Sequence, residues 1–380
     1  MSGPTSRDVS PFVFDGPVSP DQLIGRSEET AGLLAWARAG RFVALVAPRR
    51  YGKTSLLDAV ADQAQREDLL PVTVDLYGVL SLTDLVLRLE SAWQRAARRG
   101  ERLRDTLGRV FAGAQVGLSV AGAGFSLRMA RDPRTDPLPA LHTLLDLPLQ
   151  VAGKRGVSRV LLVLDEFQDL FRIEGAEAVL RSHAQHQREA ASIVFSGSEP
   201  GMLAAAFGDR ARPFYGQAEM SRLGRLPAGA LAKAVDERFT ATGRSAAEAL
   251  PELVSASEGH PQRAMLLAHL LWTQTPDGGR ADADTWQRTL VATDRRVSDE
   301  MAALWGGLSR GERKVLRAVQ AYGSPYRSAA AQALDLPKST AQEALRGLVA
   351  RGVLEQEADE GPPLIVDPML TRWVAHRAGA

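Results

Sequence analysis

The apolar positions of this chain fall into two kinds of run. Some are short and unbroken. Phe42 to Val46 and Val160 to Leu164 suit strands of a parallel sheet buried on both faces. Residues 71–78 (PVTVDLYG), Ser192 to Ser196 and Glu219 to Leu223 predict three further strands. Between them lie helical spacings. Residues 21–39 carry Leu33, Leu34, Trp36 and Ala37 on one face, with Ser27 as N-cap. Residues 82–98 align Leu82, Leu85, Val86, Leu89 and Trp93; residues 101–112 extend or follow that helix, and 139–153 form another. Strand and helix alternating in this way predict an α/β core around a parallel sheet. One segment breaks the alternation. Val116, Leu118 and Val120, then Phe125, Leu127 and Met129, alternate around Gly122 and Gly124, which predicts a β-hairpin inserted at about 116–129. Pro4, Pro11, Pro17 and Pro20 make residues 1–20 an extended arm, pinned to a core by Phe12, Val13 and Phe14.

The pattern changes after the last strand. Residues 227–298 read as helical throughout. The last 80 residues read as helices over Ser309 to Tyr322, Arg327 to Leu334 and Ser339 to Val349, the third opened by a Ser339/Gln342 capping box. A strand pair, Val353 to Glu357 and Leu364 to Asp367, follows. This is the order of a winged helix-turn-helix. The predicted domains are therefore a core over 1–222, a helical lid over 223–300 and a winged helix over 301–380. In a duplex reading Ser339, Thr340, Gln342, Glu343 and Arg346 face the groove. Against it, Glu355, Glu357, Asp359 and Glu360 on the wing would face phosphates, which favours a protein or intramolecular contact.

Candidate chemistry begins at the first strand. Ala47-Pro48-Arg49-Arg50-Tyr51-Gly52-Lys53-Thr54-Ser55 lies between a strand and a helix, as a P-loop requires, with Ala47 where the first glycine is usual. Loop N–H groups and the helix N-terminus suit phosphate, Lys53 would neutralise it, and Thr54 would offer a hydroxyl to Mg²⁺. The plainer reading is a strand, turn and helix with a chance Gly-Lys-Thr. Lysine is scarce, however: only Lys53, Lys154, Lys233, Lys314 and Lys338 occur. The run 160–164 ends in Asp165-Glu166, at the strand edge where ligands of open α/β sheets bind. Beside a P-loop, Asp165 would hold Mg²⁺ and Glu166 would polarise a water; otherwise the pair begins a solvated loop. Ser198, with Ser196 as second choice, stands at the tip of the next strand as a γ-phosphate sensor. Arg263, in the first turn of the helix after Gly259-His260-Pro261, could reach a nucleotide phosphate; the alternative is a surface helix start. His260 has no partner at metal-ligand spacing.

Whole-chain composition narrows the field. A net charge of +1 over 380 residues argues for no global nucleic-acid or membrane field. There is no Cys, so disulfide and thiolate chemistry are excluded, in keeping with a cytoplasmic protein. The N-terminus lacks the pattern of a signal peptide, and no apolar run approaches a membrane span. The expected function is Mg²⁺-dependent ATP hydrolysis driving a conformational switch. A DNA-binding regulator that uses nucleotide as a structural or switching ligand is the alternative. A phosphoryl transferase is a third reading, weakened because the Asp-Glu pair points to water as nucleophile.

The order Leu23-Ile24-Gly25-Arg26, APRRYGKTSLL, LLVLDEFQDL, SGSEPGM, PFYGQ and EGHPQR resembles the archaeal-type AAA ATPase family, near the origin-recognition and STAND ATPases, over about residues 12 to 375. The resemblance implies a five-stranded parallel core of order 5-1-4-3-2, a helical lid and a C-terminal winged helix. It implies Lys53 and Thr54 at phosphate and Mg²⁺, Asp165 as Walker B carboxylate, Glu166 as catalytic carboxylate, Ser198 as sensor 1 and Arg263 as sensor 2. Arg26 and His260 join the nucleotide-binding set. The family often shows Arg where this chain has Gln217, so a finger role would be empty or pass to Arg212 or Arg222. Homo-oligomer formation and a DNA or protein partner for the winged helix stay open.

Overall fold

A computed structural model describes residues 9–98, 118–121, 124–127, 136–154, 157–356 and 361–378. The chain divides into two compact units. A sheet unit comprises Ser27–Ala47 and Lys53–Leu223; a helical unit comprises Met1–Arg26, Pro48–Gly52 and Gly224–Ala380.

In the sheet unit, α1 (Ser27–Arg38) leads to β1 (Val43–Val46), and α2 (Lys53–Arg66) to β2 (Leu69–Asp75). Next come α3 (Leu82–Ala97), the hairpin β3 (Leu118–Ala121) and β4 (Gly124–Leu127), α4 (Leu138–Val151) and β5 (Arg159–Asp165). A 3₁₀ turn (Phe167–Arg172), α5 (Ala176–Ala184), β6 (Ala191–Gly197), α6 (Pro200–Gly208) and β7 (Glu219–Arg222) complete it. The sheet is five-stranded in the order β2-β5-β6-β1-β7, with every pair parallel. That is the 5-1-4-3-2 order the resemblance implies. β1 and β6 are buried at every residue, and β5 at all but Arg159, which is why their sequences are apolar without alternation. β7 (EMSR) is short, polar and mostly exposed, as suits an edge strand.

The first helix is shorter than the 21–39 stretch expected from its apolar spacing. Gly25 takes φ +61 and closes off the start of the 21–39 stretch. A 3₁₀ turn at Pro20–Gln22 precedes it, and α1 starts with Ser27 inside the helix rather than as its cap. The hairpin forms as expected, antiparallel with Ser119 opposite Ser126. The helix expected over 101–112 lies outside the described residues, as do Val116 and Met129.

The helical unit contains α7 (Ala228–Ala241), α8 (Ala249–Ser257), α9 (Pro261–Gln274), α10 (Ala283–Gly306), α11 (Arg310–Tyr322), α12 (Ser328–Ala333) and α13 (Lys338–Ala350). The wing strands β8 (Leu354–Glu355) and β9 (Leu364–Ile365) and a last helix α14 (Pro368–Ala378) follow. One continuous core joins these elements. It holds Leu231, Leu267 and Met301 of the lid helices with Leu316, Leu348 and Leu370 of the winged helix. Phe12 of the N-terminal arm enters this core, its ring 5.4 Å from that of Phe239. The capping box falls elsewhere than expected. It joins Ser309 to Glu312 at the start of α11, whereas α13 begins one residue early behind Pro337 and has no side-chain cap, so Ser339 lies inside the helix. The fixed φ of proline sets that entry. Among the described residues no helix is long and apolar enough to cross a membrane.

Candidate functional site

The candidate P-loop runs from β1 through Ala47–Gly52 into α2, which begins at Lys53. Left-handed backbone falls on Arg50 (φ 68) and Gly52 (φ 82), and not on Ala47. Ala47 continues the strand pairing instead, its N–H donating to the Gly197 carbonyl at 3.4 Å. A methyl group at the first-glycine position therefore meets no conformational demand. A Cβ on Gly52 would meet no atom within 4 Å, so its glycine serves the backbone conformation and leaves open space over the loop. Lys53 is buried, and its Nζ donates to the Ala47 carbonyl at 3.1 Å. Thr54 Oγ1 donates to Asp165 Oδ2 at 3.3 Å. Ser55 is buried in the first turn of α2; Arg49 is exposed and Pro48 buried.

At the end of β5, Asp165 is buried, and burial pushes its carboxyl above the ordinary range. The chain then turns through Glu166 in the left-handed region (φ 52). This turn re-aims the Glu166 carboxylate toward β6. It accepts from Ser198 Oγ at 2.6 Å, from Gln168 Nε2 at 2.5 Å and from the Ser198 N–H at 3.3 Å. Burial alone would raise its pKa; the Ser198 and Gln168 hydrogen bonds, with the Lys53 charge, outweigh that and hold it below the ordinary carboxylate range. Ser198 rather than Ser196 reaches Glu166. Gln168 is the site residue that the sequence reading left without a role. It is 1% exposed, and its Oε1 has no hydrogen-bond partner. A Cβ on Gly197 would lie 2.5 Å from that Oε1 and 2.5 Å from Leu203 Cδ1, so only glycine leaves room for Gln168.

The remaining expected residues belong to the helical unit. Arg26 is buried and donates through Nη2 to the Gly224 carbonyl at 2.6 Å. Arg263, 2% exposed, grips Asp367: Nε lies 3.0 Å from both carboxylate oxygens and Nη2 lies 2.6 Å from Oδ2. Its Nη2 also donates to Glu300 at 3.1 Å. No local pattern relates Glu300 or Asp367 to Arg263, because they lie 37 and 104 residues away. Arg212, in the sheet unit, pairs with Glu177 at 3.0 Å. Gln217 accepts through its carbonyl from Arg188 at 3.2 Å, and Arg222 is an exposed residue of β7. Among the described residues no group of three His, Cys, Asp or Glu could hold a metal ion. That is compatible with Mg²⁺, which takes few protein ligands when phosphate oxygens and water supply the rest.

His260 caps α9, its Nδ1 accepting the Arg263 N–H at 3.3 Å. Burial pushes its pKa down to about 4, with Asp367 opposing and Arg263 and Arg225 assisting. An unfolded chain takes up this proton near the ordinary value of about 6.5, and the folded one only near 4, so stability falls as pH drops through that window. Between pH 7 and 5 this group removes about 2 kcal/mol. His260→Asn keeps a cap acceptor and should flatten the pH dependence. Urea unfolding at both pH values checks this; equal slopes for variant and wild type would count against it.

Residues 314–358 match the IclR helix-turn-helix domain. No curated protein matches the chain. Among solved structures, the Walker-type ATPase PABY2304 of Pyrococcus abyssi is similar over 96% of this chain and 99% of its own, at 18% identity and a TM-score of 0.68. The ORC2 protein of Aeropyrum pernix in its ADPNP–ADP complexes is similar over 97% and 98%, at 12% identity and a TM-score of 0.56; its ADP form gives 14% and 0.52, over 96% of each chain. The fold is thus shared with these two proteins: a parallel five-stranded sheet with surrounding helices and a C-terminal helix-turn-helix domain.

Proposed function

We propose that this chain is a P-loop ATPase that binds ATP with Mg²⁺ through Ala47–Ser55 and hydrolyses it slowly, as a switch coupled to its winged helix. The observation that carries the reading is the meeting of three pairs at one sheet edge: Lys53 with Ala47, Thr54 with Asp165, and Glu166 with Ser198. The residues fit the ligand. Gly52 leaves open space over the loop, and the hydroxyl and carboxylate that would hold Mg²⁺ already lie side by side. The metal would neutralise charge on the phosphates. Lys53 binds phosphate oxygens, Glu166 orients a water and takes its proton, and Ser198 and Gln168 fix the Glu166 carboxylate. Arg263 becomes a phosphate ligand only once Asp367 and Glu300 release it. Gln217 at the finger position fits slow turnover, since an arginine finger is worth about 10³–10⁵ in rate. Mg²⁺-dependent release of phosphate from ATP tests the reading; a protein that neither binds nor turns over ATP overturns it.

The helix-turn-helix match and the exposed Lys338, Ser339, Gln342 and Arg346 of α13 favour a second reading, duplex DNA binding by the winged helix. If α13 lies on a duplex, Arg346→Ala should weaken binding and lower the slope of log K against log salt by about 1. Binding indifferent to salt would speak against a duplex partner.

A further inference from the structure

The tip of the P-loop, Pro48–Gly52, packs within the helical unit, and carboxylates of the lid and wing hold it there. Tyr51 is fully buried, its ring edge-on to His260 at 5.0 Å. Its hydroxyl donates to the Glu355 carboxylate on β8, at 3.4 and 3.3 Å to the two oxygens. Glu355 also accepts from Arg225 Nε at 2.8 Å. Arg225 continues to Glu258 at 2.7 Å and to the Ile365 carbonyl of β9 at 2.9 Å, so it ties both wing strands. Arg50, held in the left-handed region, pairs with Glu300 of α10, and Glu300 shares Arg263 with Asp367.

Three guanidinium groups, those of Arg50, Arg225 and Arg263, therefore meet the carboxylates of Glu258, Glu300, Glu355 and Asp367. Guanidinium forks match phosphate as well as carboxylate. Two of the carboxylates belong to the wing region: Glu355 on β8, and Asp367 just past β9. They hold the P-loop tip and the arginines around it as a bound phosphate would, but from within the chain.

Resting on the ATPase reading, we propose that the wing is an intramolecular latch on the P-loop, its carboxylates competing with nucleotide phosphate for the arginines and for the Tyr51 loop conformation. Nucleotide binding and wing release are then linked. A ligand that draws the wing away tightens ATP binding, and ATP loosens the wing by the same factor. This gives the winged helix the intramolecular role that its acidic wing suggests.

The test uses the full chain and a fluorescent, non-hydrolysable ATP analogue with Mg²⁺. Glu355→Ala should bind it more tightly, on the order of tenfold. Tyr51→Phe, which keeps the ring against His260, should move affinity the same way by less, and it carries the test if Glu355→Ala does not fold. In the wild type the analogue should speed amide hydrogen exchange in β8 and β9. Wild-type affinity in both variants, with wing exchange unchanged or slowed by the analogue, overturns the latch and leaves the ATPase reading standing. Absence of binding in wild type and variants alike overturns the P-loop assignment, and the latch with it.

Discussion

Glu166→Gln should lower ATP turnover by a factor of roughly 10²–10⁴, the range that a positioned general base supplies, while ATP still binds. Glutamine has nearly the same shape, and it still offers a carbonyl oxygen to Ser198 and Gln168, the donors that fix Glu166 now. It cannot accept a proton from water. Those hydrogen bonds also hold the wild-type carboxyl below its ordinary range, favouring its ionised form. Single-turnover hydrolysis beside equilibrium binding separates the two effects. An unchanged rate in Glu166→Gln would mean that water is activated elsewhere.

Lys53→Ala should weaken ATP binding by about a hundredfold or more. A charge-assisted hydrogen bond is worth roughly 1.5–3 kcal/mol, and in the proposed site Lys53 would make two of them, one each to the β- and γ-phosphates. In the protein alone Lys53 is buried and Nζ donates to the Ala47 carbonyl, so binding asks the side chain to exchange existing partners for others and not to order itself from solvent. Substitution also removes a buried charge, so the fold should survive. Calorimetric titration with Mg²⁺-ATP measures the effect, with thermal melting as the control on folding. Wild-type affinity in Lys53→Ala would remove the P-loop from the nucleotide site, whatever the value of the Glu166 result.

The local chemistry was legible because it is local. A buried parallel strand needs an unbroken apolar run, so 42–46 and 160–164 declared themselves, and the polar residues that end such runs had to lie at the edge of the sheet. Ser309 and Glu312 carry the same capping-box spacing as Ser339 and Gln342, and there the box forms. Pro337 starts α13 one residue early and so leaves Ser339 inside the helix, where it cannot cap. Gln168 had a visible position but no visible role, because its role depends on a left-handed turn at Glu166 and on the absence of a side chain at Gly197.

What the sequence determined by itself was the strands of the sheet, many of the helices, a candidate P-loop and an acidic pair at a strand end, because each depends on residues within a few positions of one another. What only the tertiary structure decided was which charges neutralise which. Arg263 meets Asp367, Tyr51 meets Glu355 and Arg50 meets Glu300 across separations of 104, 304 and 250 residues. No periodicity carries information over such distances. Burial enforces the pairing: once these charged and polar groups leave water, each needs a partner, and folding alone determines which one lies within reach.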